Sequence, residues 1–188
     1  MKKIIKNEFD EHIKVTKLLY NIVDSVADAS RECIDCLLGG GKILIFGNGG
    51  SAADAQHIAA ELVGSYKINR KGLPAIALTT DSSSLTSIGN DFGYKHVFDR
   101  QVEALAREGD IVIGISTSGK SANVISALKL ASQMNCITLG LSGNDGGEMN
   151  QICDINIVAP SYDTPRIQEI HILIGHTICH LIDLEFKD

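Results

Sequence analysis

No apolar run in this chain approaches the roughly 20 residues that span a bilayer, which excludes a transmembrane helix. The opening stretch MKKIIKNEFDEHIKV lacks the uninterrupted apolar core of a secretory signal and mixes charges through every turn, so the expected location is the cytoplasm. Net positive charge is lacking too. The formal charge is -6, which removes any global drive toward nucleic acid or an anionic membrane, and neither partner is expected. KINRKG at 67–72 is the one candidate basic patch, and it reads as a solvated loop. An even cysteine count is also missing. Five cysteines (Cys33, Cys36, Cys136, Cys153 and Cys179) in an acidic chain argue for free thiols. Cys33 and Cys36 form a C-x-x-C, but no second pair completes a zinc site. The pair sits inside a helical pattern rather than after a strand, unlike a redox motif, and is expected to be half-buried packing. Linkers, repeats and low-complexity segments are absent as well.

What is there suits one domain with a sizeable core: 188 residues, 44% apolar and 21% charged. Residues 1–40 are helical by pattern. Ile4, Ile5, Phe9, Ile13, Val15, Leu18, Leu19, Ile22 and Val23 recur at three- and four-residue steps. A second helix continues through Val26, Cys33, Ile34, Leu37 and Leu38 and stops at Gly39, Gly40 and Gly41. The texture then changes. Short runs rich in Ile, Val and Leu appear at 42–46, 74–78, 111–115, 136–141 and 154–159, without clean alternation. Strands buried on both faces of a parallel sheet read this way. Helical segments fall between them at 51–65, about 81–89, 96–107, 120–133 and 165–186. Alternating strand and helix imply right-handed crossovers and a doubly wound sheet. The helical arm at 1–40 has no strand to cross to, so it packs on the sheet or on another subunit.

Ligands of such a sheet bind at the carboxyl ends of its strands. The loops to read are therefore GNGGS, TTDSSS with IGNDFG, STSGKS and SGNDGG. GISTSGKS, Gly114 to Ser121, formally matches the nucleotide P-loop pattern. A nucleotide site would also want an Asp at a strand end for magnesium, and none is offered. As a phosphate-monoester grip the loop makes better chemistry. Ser116, Thr117, Ser118 and Ser121 supply hydroxyls, Gly119 allows close approach, and the following helix presents free N–H groups.

In GNGGSAADAQHIAAEL, His57 and Glu61 are four residues apart and share one helix face. Their apolar neighbours make an unpartnered ionised Glu costly. The last helix, TPRIQEIHILIGHTICHLIDLEF, begins with Pro165 in its first turn, capped by Thr164 or Asp163. It is strongly apolar yet carries Gln168, Glu169, His171, His176 and His180. Gln168 and His176 lie about 12 Å apart along the axis and about 80° around it. They reach one metal only at the limit of their length, or from different subunits, which hints at a site built at an oligomer interface.

GNGGSAADAQHIAAEL, GNDFG, GISTSGKSANVI and TPRIQEIH with the later GH together resemble the bacterial phosphoheptose isomerases of the sugar isomerase (SIS) family. The likeness runs through nearly the whole chain. It implies a three-layer α-β-α fold with a five-stranded parallel sheet and an N-terminal helical arm (1–40) ahead of an α/β core (41–188). It implies a homotetramer with active sites between subunits, and conversion of sedoheptulose 7-phosphate to D-glycero-D-manno-heptose 7-phosphate for lipopolysaccharide or capsule. It implies one Zn2+ per subunit on His57, Glu61, Gln168 and His176. The substrate contacts that carry over are Asn48, Gly49, Gly50, Glu61, Asn90, Asp91, Ser116, Thr117, Ser118, Ser121 and Gln168. Lys120 stands where some relatives have Asn, Pro165 where some have Asp, and His180 matches no family site.

A ketose–aldose isomerisation moves a proton between C1 and C2 through an enediol, which calls for a base at carbon and an acid at oxygen. Glu61 is the expected base and His176 the expected proton shuttle, with zinc polarising the carbonyl. Two other classes fit parts of the sequence: a non-catalytic SIS protein that binds a sugar phosphate or a replication initiator, and a P-loop nucleotide binder. All four ligand types are present, which favours the enzyme.

Overall fold

A computed structural model describes residues 1–187. Five parallel strands form the sheet, in the order β2-β1-β3-β4-β5. They are β1 (Ile43–Gly47), β2 (Ala75–Ala77), β3 (Ile111–Ser116), β4 (Ile137–Ser142) and β5 (Ile155–Val158). Each sits within one or two residues of its sequence run. The helices are α1 (Lys2–Lys17), α2 (Val23–Leu38), α3 (Gly50–Val63), α4 (Ser82–Asp91), α5 (Asp99–Leu105), α6 (Ala122–Gln133), α7 (Met149–Ile152) and α8 (Thr164–Glu185). A 3-10 turn at Leu19–Ile22 joins α1 to α2, and another at Tyr94–His96 shortens the helix expected over 96–107. The one-turn helix α7 has no periodicity of its own to announce it. Asp163 takes the N-cap position of α8, but its side chain makes no capping bond.

Side chains alternate across each strand, so the sheet has two apolar faces. Ile43, Ile45, Ile111, Ile113, Ile115, Leu139 and Leu141 pack with α2, α3 and α8. Leu44, Phe46 and Val112 pack with Val97, Phe98, Val124, Leu128 and Met149 on the other side. Phe46 and Phe98 stack there with centroids 5.0 Å apart. These are the three layers expected from the sequence.

Cys33 and Cys36 are fully buried rather than half-buried, at 0% and 7% exposure, and all five cysteines are free. Burial pushes the thiols of Cys153 and Cys179 up to about 12. They are packing residues with little thiolate character. α2 joins the core, whereas α1 buries none of its residues. It touches α8 through polar groups: His12 Nδ1 donates to Glu169 at 2.7 Å, and Arg166 donates to Glu8 O at 2.6 Å. Among the described residues no helix is long and apolar enough to cross a membrane.

Candidate active site

The sheet order reverses between β1 and β3, so the loops after those strands open side by side at the topological switch point. Asn48 from the first loop and Asn123 from the first turn of α6 exchange amide hydrogen bonds of 2.9 and 2.8 Å. Tyr94 O–H donates to Asn48 Oδ1 at 3.2 Å, tying down the segment that follows α4. Asn90 and Asp91, at the end of α4, are exposed and pair with each other at 2.7 Å. Asn48 was expected among the substrate contacts; the pairing commits its side-chain oxygen and one of its two N–H groups. The backbone at Gly49 and Gly50 is exposed at the start of α3.

In the STSGKS loop, Ser116 is 3% exposed and its Oγ lies 2.9 Å from Ser121 Oγ. Ser118 Oγ accepts from Lys120 N at 3.2 Å. Thr117, Ser118 and Ser121 are half-buried at the mouth of α6, while Ser116 braces the loop from beneath. Lys120 points to Asp145, 3.6 Å away, and is exposed.

Further along α3, His57 and Glu61 meet as their spacing demands, Nε2 to Oε1, at 3.1 Å. His176 of α8 comes to the same place, with its Nε2 3.3 Å from His57 Nε2. Donor atoms of all three lie within 4.8 Å of one another. A tetrahedral zinc with ligands at about 2.0–2.1 Å spaces its donors about 3.3 Å apart, so two imidazole nitrogens and a carboxylate oxygen so arranged fit that ion. Tyr66 stacks on His176 at 4.9 Å, and its edge meets His180. Burial, and then the neighbouring His57 ring, hold His176 below the ordinary histidine range.

Gln168 stands elsewhere. Its side-chain amide lies over Gly50 at the first turn of α3, so close that any Cβ there would strike it. Gly50 and His57 are seven residues apart, about 10 Å along the helix. Gly175 allows a second close approach, between α8 and Ile58 of α3. His171 is wholly buried, and its Nε2–H donates to Ser142 O at 2.9 Å.

Several residues of the site are not marked by any motif. Asn123 and Tyr94 clamp Asn48, and Tyr66 stacks on His176. Their only sequence signal was an amide or phenol near a loop already singled out. KINRKG is the solvated loop expected at Lys67, Asn69, Lys71 and Gly72, which are exposed, but not at Arg70. Arg70 is 6% exposed, and its Nε donates to Asp183 Oδ1 at 2.7 Å. An arginine among lysines in a loop gives no sign of burial until α8 brings a carboxylate to it.

The SIS domain model matches residues 13–143. Over 188 residues, covering all of both chains, 60% of positions are identical to the phosphoheptose isomerase of Aliarcobacter butzleri. Phosphoheptose isomerase 1 of Campylobacter jejuni is 56% identical over 99% of this chain and 100% of its own. The structure of the phosphoheptose isomerase of Neisseria gonorrhoeae superposes with a TM-score of 0.93, at 45% identity, covering 97% of this chain and 98% of its own. The chain belongs to the SIS domain family, among its phosphoheptose isomerases.

Proposed function

We infer that this chain interconverts sedoheptulose 7-phosphate and D-glycero-D-manno-heptose 7-phosphate, a ketose–aldose isomerisation that supplies heptose for lipopolysaccharide or capsule. The observation that carries the reading is the meeting of His57, Glu61 and His176 on a chain identical at 60% of positions to a phosphoheptose isomerase. A non-catalytic SIS protein has no need of that cluster.

Glu61 takes the proton from one carbon and returns it to its neighbour. It is partly shielded, with 22% side-chain exposure, and hydrogen-bonded to His57, so it is aimed rather than free. His176 moves protons between the two oxygens; its lowered pKa leaves the imidazole neutral and able to accept near pH 7. A Zn2+ on His57, Glu61, His176 and Gln168, one per subunit, would polarise the carbonyl and draw off developing negative charge, with its contacts to Glu61 and His176 loosened while those residues carry a proton. Asn48, Gly49, Gly50, Asn90 and Asp91 hold the sugar, and Thr117, Ser118 and Ser121 the phosphate, with Ser116 behind them. Gln168, over Gly50, contacts the substrate as well.

We further propose a homotetramer with active sites at its interfaces. Two observations support it. Ile4, Ile5, Phe9 and Ile13 of α1 are 47–65% exposed, an apolar stripe that water disfavours. Gln168 also sits about two turns of α3 from His57, so a neighbouring copy is the simplest source of the fourth ligand. Residues 1–188 act as one SIS unit, with the arm at 1–40 serving assembly, in the cytoplasm. The test is a coupled assay with sedoheptulose 7-phosphate beside arabinose and fructosamine phosphates. Turnover of the heptulose alone fits; turnover of only another sugar phosphate refutes the assignment.

A further inference from the structure

Arg70 lies in the segment between α3 and β2, and Asp183 lies near the end of α8; both side chains are 0% exposed. The guanidinium closes off the C-terminal end of α3. Its Nη2 donates to Glu61 O at 3.0 Å, and its Nη1 to Leu62 O and Lys71 O, both at 2.9 Å. Glu61 and Leu62 carry carbonyls of the last helical turn, which have no partner within the helix. Asp183 is equally occupied. Oδ1 accepts from Arg70 Nε, and Oδ2 accepts from Lys67 N at 2.6 Å and Ile68 N at 3.0 Å. One buried ion pair therefore grips three things: the backbone of Glu61, the 67–68 turn that follows Tyr66, and the helix bearing His176.

We propose that Arg70 and Asp183 are positioning residues that set the separation of Glu61 and His176, and thereby assemble the metal-holding cluster. No other described ion pair joins α8 to the end of α3. A rigid planar fork with five donors can hold two helical carbonyls and a carboxylate at once; an ammonium cannot. Burial on both sides denies water as a substitute partner, so a lost contact is made good only by moving one of the two helices. The carboxylate-to-backbone bonds extend the same brace to Tyr66, which stacks on His176. The proposal rests on the reading of His57, Glu61 and His176 as metal ligands.

The test is the zinc affinity of the metal-free protein, measured by competition with a chromophoric chelator, for Arg70→Lys with circular dichroism as the control of folding. The folded variant is expected to bind zinc about tenfold or more weakly, the scale on which outer-shell partners act. Its kcat should fall in step, while KM for sedoheptulose 7-phosphate stays nearly unchanged because the phosphate loop lies between β3 and α6, outside the elements that the ion pair joins. A lower melting temperature with zinc affinity close to the parent's would mean a purely structural pair and overturn the proposal. Should Arg70→Lys not fold, Asp183→Glu keeps the charge, displaces α8 by one methylene, and is read by the same criteria. His57→Ala separates the two failures: parental zinc affinity there refutes the metal cluster itself, and the positioning role with it.

Discussion

His57 and His176 are 119 residues apart in the chain, yet their Nε2 atoms lie 3.3 Å from each other, with the rings nearly perpendicular. Two imidazoles that turn their nitrogens toward one point, beside a carboxylate, are a group that could hold a metal ion. A bound ion that ignores the unfolded chain stabilises the fold by mass action. Added zinc should therefore raise the melting temperature of chelator-treated protein by several degrees, and His57→Ala should abolish most of the rise. An equal rise in the variant would remove the cluster as the site.

Gly50 makes room for Gln168. A methyl group there meets the far end of a flexible side chain, so Gly50→Ala should fold with little change in melting temperature. Gln168 must swing aside, however, and misplacement of about 1 Å near a reacting centre costs on the order of 10²-fold in rate. Kinetics and thermal melts on the same preparation check this. Wild-type kcat/KM in Gly50→Ala would mean that Gln168 does not act from that position.

The fall of stability in acid should depend on His171. Burial lowers its pKa from 6.5 to about 4 in the folded chain, and its Nδ1 has no partner. Unfolded, it takes up a proton near pH 6.5; folded, it resists until about pH 4. Its contribution is therefore complete above pH 6.5 and lost as pH falls through that window, by about 3 kcal/mol in total. His171→Gln keeps a donor for Ser142 O and should flatten the pH 7-to-4 difference measured by urea unfolding. An unchanged slope would assign the loss to other groups.

Phe9 and Ile13 are 65% and 49% exposed on α1. In a tetramer built through the arm, the double replacement by Glu should shift the sedimenting species to a smaller one and lower activity with it. A tetramer that survives the change would place the interface elsewhere.

Most of the fold could be read from local pattern. All five strands and the long helices fell close to their apolar runs, because burial on both sheet faces demands continuous Ile and Val. His57 and Glu61 were also legible, since helical spacing alone puts them together. Arg70, Tyr66, Asn123 and Tyr94 were not. Each gains its role from a contact across many residues of chain: Arg70 with Asp183, Tyr66 with His176, and Asn123 and Tyr94 with Asn48. No periodicity encodes such pairings. The separation of Gln168 from the His–Glu–His cluster was legible in outline, from the rise of the helix between Gln168 and His176.

The proposed isomerisation turns on Glu61 carrying the proton between the two carbons. It is tested most directly by the turnover of sedoheptulose 7-phosphate by Glu61→Gln, a change that keeps size and a ligand oxygen but removes the base. The expected result is a folded protein whose kcat has fallen by about 10²–10⁴-fold or more, the usual contribution of a general base. Near-normal turnover in that variant would contradict it.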